Sequence, residues 1–350
     1  MQGSTQGLPE EKIKWRKAMK RVGLILLVVA AVSCSKFSYQ EQKSEVTAVS
    51  AGIKGGTKGL TYTVMAARMV NTLHYVWNAD SVKMVRTGDY YAAAFSNEDT
   101  LYTIVGLDTF RNDDAASMQE VYAQLPEMPD SVQNMIADYN PYAPFIRSAD
   151  SPLLCDFQKF TAQDSSMTVS FSPKDLTQQI VFRLRLKVER GVEVTSVRGA
   201  LTGVAGRVRL MSGLLKNDAD NPTFKQYLDM EEKGAGLYEG KASVLGLFPS
   251  ESETYKVGPG ILHLEVHASV DDEGVLRERI FHAGVNLKSL IKKAGLMEEA
   301  EDGSGYRNSC REAVIEIPTQ LEVTKDKVMT GAGGGLEQWF VHEENIEVEV

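Results

Sequence analysis

One strand-like segment contains residues that could bind a metal ion. His263, Glu265 and His267 alternate along the chain, so in a β-strand their side chains would all point to one face. Histidine and carboxylate ligands suit zinc, but the spacing lacks the i, i+4 separation of a helical zinc-protease motif. We therefore expect a solvated strand face here and predict neither a metal site nor a cofactor.

Three cysteines set narrow limits on thiol chemistry, since they are too few for a disulfide scaffold or a four-thiolate zinc site. A cysteine nucleophile needs a neighbouring histidine, and the sequence gives no means of placing one beside Cys155 or Cys310. In an oxidising compartment these two cysteines could form a disulfide, and two free thiols are the alternative. No serine-nucleophile, paired-carboxylate or dinucleotide-binding motif is recognisable, so we predict no enzymatic activity.

The beginning of the chain suggests a separate role for Cys34. Two basic residues precede an apolar run over residues 22–32, and Cys34 follows shortly after it. The 11 residues of the run would reach about 16 Å as a helix, too short for a hydrocarbon core of about 30 Å. A basic segment, a short apolar segment and a small-residue cleavage site are typical of a secretory signal, which we assign to residues 1–33.

The tetrad Ala31-Val32-Ser33-Cys34 resembles the lipobox of bacterial lipoproteins. This resemblance implies that the Cys34 thiol takes a diacylglycerol, that the chain is cut before it, and that the new N-terminus is acylated. Each buried methylene of such acyl chains contributes about 0.8 kcal/mol, which anchors a protein without a transmembrane helix. The alternative is an ordinary signal peptide with an incidental cysteine, and Met19 is an alternative start of the chain.

Length and charge limit the remaining possibilities. A chain of 350 residues with 43% hydrophobic and 24% charged residues can form two globular domains, which excludes global disorder. The net charge of −9 argues against nucleic-acid binding, which needs a basic surface. Removal of residues 1–33 takes away six basic and two acidic residues, so the mature chain would carry a net charge of −13.

Strand patterns dominate the mature sequence. Residues 34–60 are small, polar and glycine-containing, and we assign them to a lipidated flexible tether. Short strand-like segments with turn signals follow from 61 to 165, where we place an N-terminal β-sandwich. A second series runs from 166 to 350, where we place a C-terminal β-sandwich.

A few elements are defined more clearly than the others. In residues 180–188 apolar side chains alternate with basic ones, which is typical of a half-buried antiparallel strand with a solvated basic face. Residues 286–295 predict a short helix that begins at Asn286, ends at a glycine and carries lysines on its outer face for solubility. The segments 117–125 and 130–139 predict two further short helices.

Four segments share the pattern of one group of surface proteins. They are the lipobox at Cys34, the hairpin VRTGDYYAAAFS, the connection YNPYAPF and, above all, the glycine-containing strand block over residues 176–213. Together they resemble the fimbrillin-like lipoproteins of Bacteroidales bacteria, which include minor fimbrial anchor subunits. The resemblance implies an all-β protein with two tandem transthyretin-like Greek-key β-sandwich domains and a few short helices, anchored in the outer membrane and exposed at the cell surface.

The resemblance also implies a mode of action. Fimbrillin-like subunits join through strands inserted into a neighbour's groove, which provides main-chain hydrogen bonds and side-chain pockets. The candidates for exchange are residues 337–350, behind the glycine-rich run 331–335, and the first strand after the tether. We therefore expect a fimbrial anchor or assembly protein with other fimbrial subunits as partners. The alternative is a surface glycan-binding lipoprotein of a nutrient-uptake system, which would need an exposed aromatic platform such as Trp77 or Trp339.

Overall fold

The structure, a computed structural model, describes residues 46–55, 59–70, 73–96, 101–112, 117–129, 143–163, 165–215, 222–330, 339–341 and 346–348. Strands predominate in these residues, and the predicted all-β class is confirmed. Other predictions concern residues outside this set, namely the signal segment 1–33, the anchor residue Cys34, the helix at 130–139 and the glycine-rich run 331–335.

The described residues form 24 strands and three short helices. The strands of the first half are β1 (Val46–Ile53), β2 (Tyr62–Arg68), β3 (His74–Asn78), β4 (Lys83–Arg86), β5 (Gly88–Ser96), β6 (Thr103–Val105), β7 (Tyr122–Gln124), β8 (Leu154–Ala162), β9 (Ser166–Phe171) and β10 (Lys174–Asp175). Those of the second half are β11 (Gln178–Val188), β12 (Val192–Ala205), β13 (Arg207–Arg209), β14 (Thr223–Gly234), β15 (Leu237–Val244), β16 (Ile261–Asp272), β17 (Val275–Asn286), β18 (Met297–Glu299), β19 (Tyr306–Asn308), β20 (Glu312–Glu316), β21 (Leu321–Val323), β22 (Val328–Thr330), β23 (Trp339–Val341) and β24 (Ile346–Val348). The helices are α1 (Leu107–Asn112), a 3-10 helix (Met118–Glu120) and α2 (Lys288–Ala294).

The first strands form two sheets that pack against each other. Strands β4, β1 and β9 make a three-stranded sheet, and β10, β8, β5, β2 and β3 make a five-stranded sheet. On one face of β5, Tyr90 and Ala92 lie in a core shared with Val49 of β1. On the other face, Ala93 and Phe95 belong to the larger core of the chain. The unbroken apolar run in β5 follows from this burial on both faces.

The strand pairing differs from the expected domain limits in two places. The prediction of a flexible tether over 34–60 is wrong for β1, whose Thr47 and Val49 are fully buried although most residues of the strand are small. Just beyond the limit expected at 165, β9 pairs with β1 and β10 pairs with β8. An alternating pattern identifies a strand but not its partner. The larger core includes residues of both halves, so the division into two tandem domains stays a prediction.

One large sheet dominates the second half. Its strands follow the order β22-β21-β11-β15-β14-β12-β16-β17-β23, with β20 beside β11 and β24 beside β17. The alternation predicted for residues 180–188 is present in β11, where Phe182 and Leu184 are buried. Arg183 and Lys187 point outward and form ion pairs with glutamates of neighbouring strands at 2.9 to 3.4 Å. The basic face of β11 is thus neutralised by its own sheet.

The short helices agree with the sequence only in part. Helix α2 ends at Gly295, whose φ of 60° is left-handed and whose N–H donates to the carbonyl of Lys292. Asn286 precedes the helix, and its side-chain oxygen accepts a hydrogen bond from the Lys288 N–H at 3.0 Å. The helix predicted over 117–125 is wrong, because this segment forms the 3-10 helix and then β7, which pairs with β6 and β13. Tertiary pairing overrides the helical spacing there.

The side chain of Asp175 joins the N-terminal sheets to the large sheet. It lies at the end of β10 with 4% of its surface exposed. Its Oδ1 accepts hydrogen bonds from the N–H of Leu153 at 3.2 Å, the N–H of Thr177 at 3.0 Å and the Thr177 hydroxyl at 2.9 Å. Its Oδ2 lies 3.0 Å from Arg311, just before β20. One carboxylate therefore connects the entry into β8, the entry into β11 and the chain before β20.

We expect Asp175→Ala to lower the free energy of unfolding by about 2 to 3 kcal/mol, because two buried N–H groups lose their acceptor. Urea unfolding of the purified chain measures the change. Asp108→Ala is the matched control: Asp108 also pairs with an arginine, but 88% of its side chain is exposed. Loss of such an exposed pair should cost less than about 1 kcal/mol. Equal losses from the two substitutions would contradict the connecting role of Asp175.

Candidate functional site

The outer edge of β17 is the main candidate site, because the chain's own C-terminal strands cover it. Strand β23 pairs antiparallel with residues 283–285, and β24 pairs antiparallel with residues 278–280. Both strands run in the same direction along β17, and each described pairing spans three residues. The edge of the large sheet is therefore closed by two short pairings from the last residues of the chain.

Strand β1 holds a comparable position in the first half. It pairs antiparallel with β4 over residues 46–49 and parallel with β9 over residues 48–53. In the described part of the sheet β1 is the strand that joins β4 to β9. Val49 is fully buried in the core between this sheet and the five-stranded one. Removal of β1 would leave a groove with two open strand edges and an empty apolar pocket.

The histidines considered as zinc ligands lie beside the β17 edge. His263 and Glu265 of β16 are only 2% and 5% exposed, so the solvated face predicted for them is wrong. Glu265 lies between two histidines: its Oε2 is 3.5 Å from Nε2 of His267, and its Oε1 is 4.0 Å from Nδ1 of His282 on β17. Within the described ranges, no group of three or more His, Cys, Asp or Glu side chains is arranged to hold a metal ion. The cluster is a buried polar contact between β16 and β17.

A segment from outside the large sheet explains part of this burial. The strand register places Ala200 of β12 beside His263, and Tyr227 of β14 beside Ala200, so the three residues share one face. Phe145 packs on that face against Ala200, and its backbone bridges to Lys225 of β14. The alternation in β16 indicates which residues share a face, but it contains no information about the segment that covers it.

Cys155 and Cys310 are free thiols in the structure, so the disulfide considered for them is not formed. Cys155 is buried in β8, and its thiol donates to the carbonyl of Leu210 at 2.8 Å. The backbone carbonyl of Cys310 accepts a hydrogen bond from the Gln178 side chain at 2.9 Å. Burial raises the pKa of both thiols, and at Cys155 the negative charge of Asp156 adds to the effect. Neither thiol is activated as a nucleophile.

Three other predicted features concern the anchor and the aromatic platform. Cys34 lies outside the described residues, so its lipidation stays a prediction. In the part of the chain that the structure describes, no helix combines the length and hydrophobicity of a membrane span. Trp77 is only 7% exposed and belongs to the N-terminal core, so its ring does not offer a surface to a sugar. The side chain of Trp339 is outside the described set.

The two thiols should react in a fixed order. In a Cys34→Ser chain at about pH 8, Cys310 should react with N-ethylmaleimide before Cys155, because Cys155 is buried and its raised pKa leaves little thiolate. Reaction at both sites should accelerate as the pH rises, since thiolate forms only as the pH approaches a raised pKa. Mass spectrometry identifies the labelled site. If neither thiol reacted in the unfolded chain until a reductant was added, the assignment of free thiols would be wrong.

Comparison with known proteins gives structural neighbours only. No protein-family model matches the chain, and no curated protein matches it. A candidate adhesin from Bacteroides ovatus is 12% identical with a TM-score of 0.46, over 81% of this chain and 94% of its own. A candidate polysaccharide-binding protein from Bacteroides thetaiotaomicron is 10% identical with a TM-score of 0.42, over 87% and 98%. The fimbrial anchor protein Mfa2 from Porphyromonas gingivalis is 10% identical with a TM-score of 0.44, over 87% and 100%. The likeness to these proteins is structural only.

Proposed function

We propose that this chain is a lipid-anchored cell-surface protein that acts in adhesion or fimbrial assembly, and that it joins a partner subunit by β-strand exchange. The observation that carries the proposal is the closure of the β17 edge by the chain's own β23 and β24. In strand addition, main-chain hydrogen bonds supply affinity and side-chain pockets supply specificity. A C-terminal strand from a second subunit could make the same main-chain hydrogen bonds at this edge.

The position of the closing segment suits exchange. An open strand edge exposes unpaired N–H and C=O groups, so it must be covered by the same chain or by a partner. The eight residues 331–338 lie between β22 and β23 and contain the glycine-rich run. Fully extended, a connection of eight residues spans about 26 Å. Behind this connection, β23 and β24 could pair with β17 of their own chain or of another copy, as in domain swapping.

Strand β1 offers the complementary acceptor site. Its two neighbours, β4 and β9, would each present an open edge if β1 left the sheet. An incoming strand could pair with both and place an apolar side chain where Val49 is buried. The chain thus has a terminal strand that could be donated and a groove that could receive one, which is the minimum for a linear assembly.

Lipidation at Cys34 would fix such an assembly to a membrane. Val46, the first residue of β1, lies 12 positions after Cys34, and this stretch would span about 40 Å when extended. Several acyl chains together make membrane binding effectively stable. The proposed partners are accordingly the outer membrane, through the lipid, and other fimbrial subunits, through the strands. The chain would act by binding and assembly, without a catalytic step.

Cys34→Ala should abolish lipid attachment, because it removes the thiol that would receive the diacylglycerol. Metabolic labelling with an alkyne-bearing fatty acid should mark the natural chain and leave the variant unmarked, and detergent-phase partitioning should change in parallel. Cys310→Ser is the matched control, since it also removes one thiol but leaves the lipobox intact. Lipid label on the Cys34→Ala chain would contradict the anchor.

Removal of residues 331–350 should open the β17 edge to the missing strand. A fluorescent peptide with the sequence of residues 337–350 should bind the truncated chain and not the full chain, whose edge is occupied; fluorescence anisotropy measures the binding. The control peptide carries proline in place of Phe340 and Glu347, because proline has no N–H to donate to a strand ladder. We expect the affinity of this peptide to be lower than that of the natural peptide by about tenfold or more.

Copurification of the truncated chain with its partner subunits is a second test of strand exchange at the β17 edge. If residues 331–350 are the donated strand, the truncated chain should fail to copurify with its partner subunits while its fold, measured by circular dichroism, persists. Equal binding of the natural and proline peptides, or unchanged copurification of the truncated chain, would rule out exchange at β17. Exchange at β1 would then be the remaining version of the proposal.

A further inference from the structure

A cleft lies beyond the end of β17. Its volume is about 500 Å³, within the range of small-ligand sites. Three elements form its walls: the loop after β15, helix α2 and the turn before β19. None of the three belongs to the strands proposed for exchange. The cleft is therefore a separate candidate site.

The loop wall of the cleft is held in place by hydrogen bonds from the start of α2. The Asn286 side chain donates to the carbonyls of Ser252 at 2.9 Å and Tyr255 at 2.8 Å. The Lys288 ammonium donates to the carbonyl of Glu251 at 2.5 Å. These contacts fix the loop to the helix on the other side of the cleft, so the two walls keep their relative position.

Two glycines let the same loop lie directly on the sheet. Gly203 of β12 and Gly260 before β16 have positive φ angles of 85° and 71°. A Cβ atom on Gly203 would lie 2.5 Å from the nitrogen of Gly260, and one on Gly260 would lie 2.6 Å from the nitrogen of Ser250. Neither position has room for a side chain. The backbone of the loop is thus packed against the backbone of the sheet, and the cleft is preformed.

The cleft contains two lysines in a chain whose net charge is negative. Lys288 and Lys292 are one turn apart on α2, and both line the cleft. An ammonium group has three N–H donors, and Lys288 uses one of them on Glu251. The neighbouring Lys293 does not line the cleft. The Glu251 carboxylate, also on the wall, can accept hydrogen bonds from hydroxyl groups. This combination suits a ligand that carries both an anionic group and hydroxyls.

The third wall contributes an aromatic ring. Tyr306 is 36% exposed, and its ring contacts Phe248 edge to face, with centroids 5.6 Å apart. Its backbone N–H and C=O both bond to Leu215, at 2.9 and 2.8 Å. The ring is therefore fixed yet partly accessible. A fixed aromatic surface beside hydrogen-bonding groups can stack on the C–H face of a sugar ring while the polar groups bind its substituents.

We propose that this cleft binds an acidic saccharide, with the sugar ring on Tyr306 and its carboxylate or sulfate held by Lys288 and Lys292. A neutral sugar lacks the negative charge with which an acidic one would pair with the two ammonium groups. A small inorganic anion would leave the aromatic surface unused. The saccharide site goes beyond the assembly role proposed above and does not depend on it, because it uses neither β1 nor the C-terminal strands.

Calorimetric titration of the purified full chain with three tetrasaccharides tests the site. Tetragalacturonate supplies carboxylates, a chondroitin sulfate tetrasaccharide supplies sulfates as well, and galactotetraose is the neutral counterpart of the first. At least one acidic probe should bind about tenfold or more tightly than the neutral one, as expected for a charge-assisted contact. The acidic probes also show which anionic group is preferred, and the binding should weaken as salt is added.

Matched variants assign the binding to the cleft. Lys292→Gln and Tyr306→Ala should each weaken acidic binding by about tenfold, whereas Lys293→Gln, on the same helix but outside the cleft, should change it by less than about twofold. Tyr306→Phe keeps the ring and should bind like the natural chain, which separates loss of stacking from loss of folding. Thermal unfolding of each variant confirms that it is folded.

The proposal is overturned if neither acidic probe binds, if the neutral probe binds equally well, or if Lys293→Gln weakens binding as much as Lys292→Gln. Binding of the 337–350 peptide to the truncated chain should not respond to Lys292→Gln. Failure of the saccharide site and failure of strand exchange can therefore be told apart.

Discussion

The outer N–H and C=O groups of an edge strand need hydrogen-bond partners, and the rest of this structure depends on that constraint. A sheet ends at a strand whose outer N–H and C=O groups have no strand partner, and proteins protect such edges by covering them, pairing them or keeping them short or charged. This chain covers them with its own distant segments: β1 joins β4 to β9, β20 and β21 extend the sheet beyond β11, and β23 and β24 close the edge of β17. The terminal strands are therefore structural parts of the sheets, and the same pairing makes them candidates for contact with other subunits.

Burial of the sheet faces shapes the structure as strongly as the pairing of the strand edges does. Strand β5 is buried on both sides because a second sheet and the main core lie on its two faces. Strand β16 is likewise buried on both sides, so Glu265 must satisfy its carboxylate inside the protein and lies between His267 and His282. Asp175 does the same at the junction of the sheets, where three N–H or O–H donors and Arg311 converge. Buried charges in this fold are surrounded by partners from different elements.

The sequence predicted those features that depend on local pattern. The all-β class, the alternation in β11 and the end of α2 at Gly295 all follow from residue spacing over a few turns or pleats. The errors come from non-local contacts. The buried strand β1 looks like a linker because most of its residues are small, and His263 looks exposed because the sequence does not show what covers its face. Helical spacing placed Lys288 and Lys292 together, but only the fold brings Tyr306 opposite them.

The pairing of β1 with β9 has a consequence for the order in which the first sheet forms. Ser50 and Thr168, which face each other across this parallel pair, are 118 positions apart in the chain. During synthesis from the N-terminus β1 emerges first, and its parallel partner follows only after more than a hundred further residues. Such long-range pairings form late in folding. The nascent protein consequently passes through an interval in which its first sheet is incomplete, and β4 is the earlier of the two neighbours that β1 can pair with before β9 arrives.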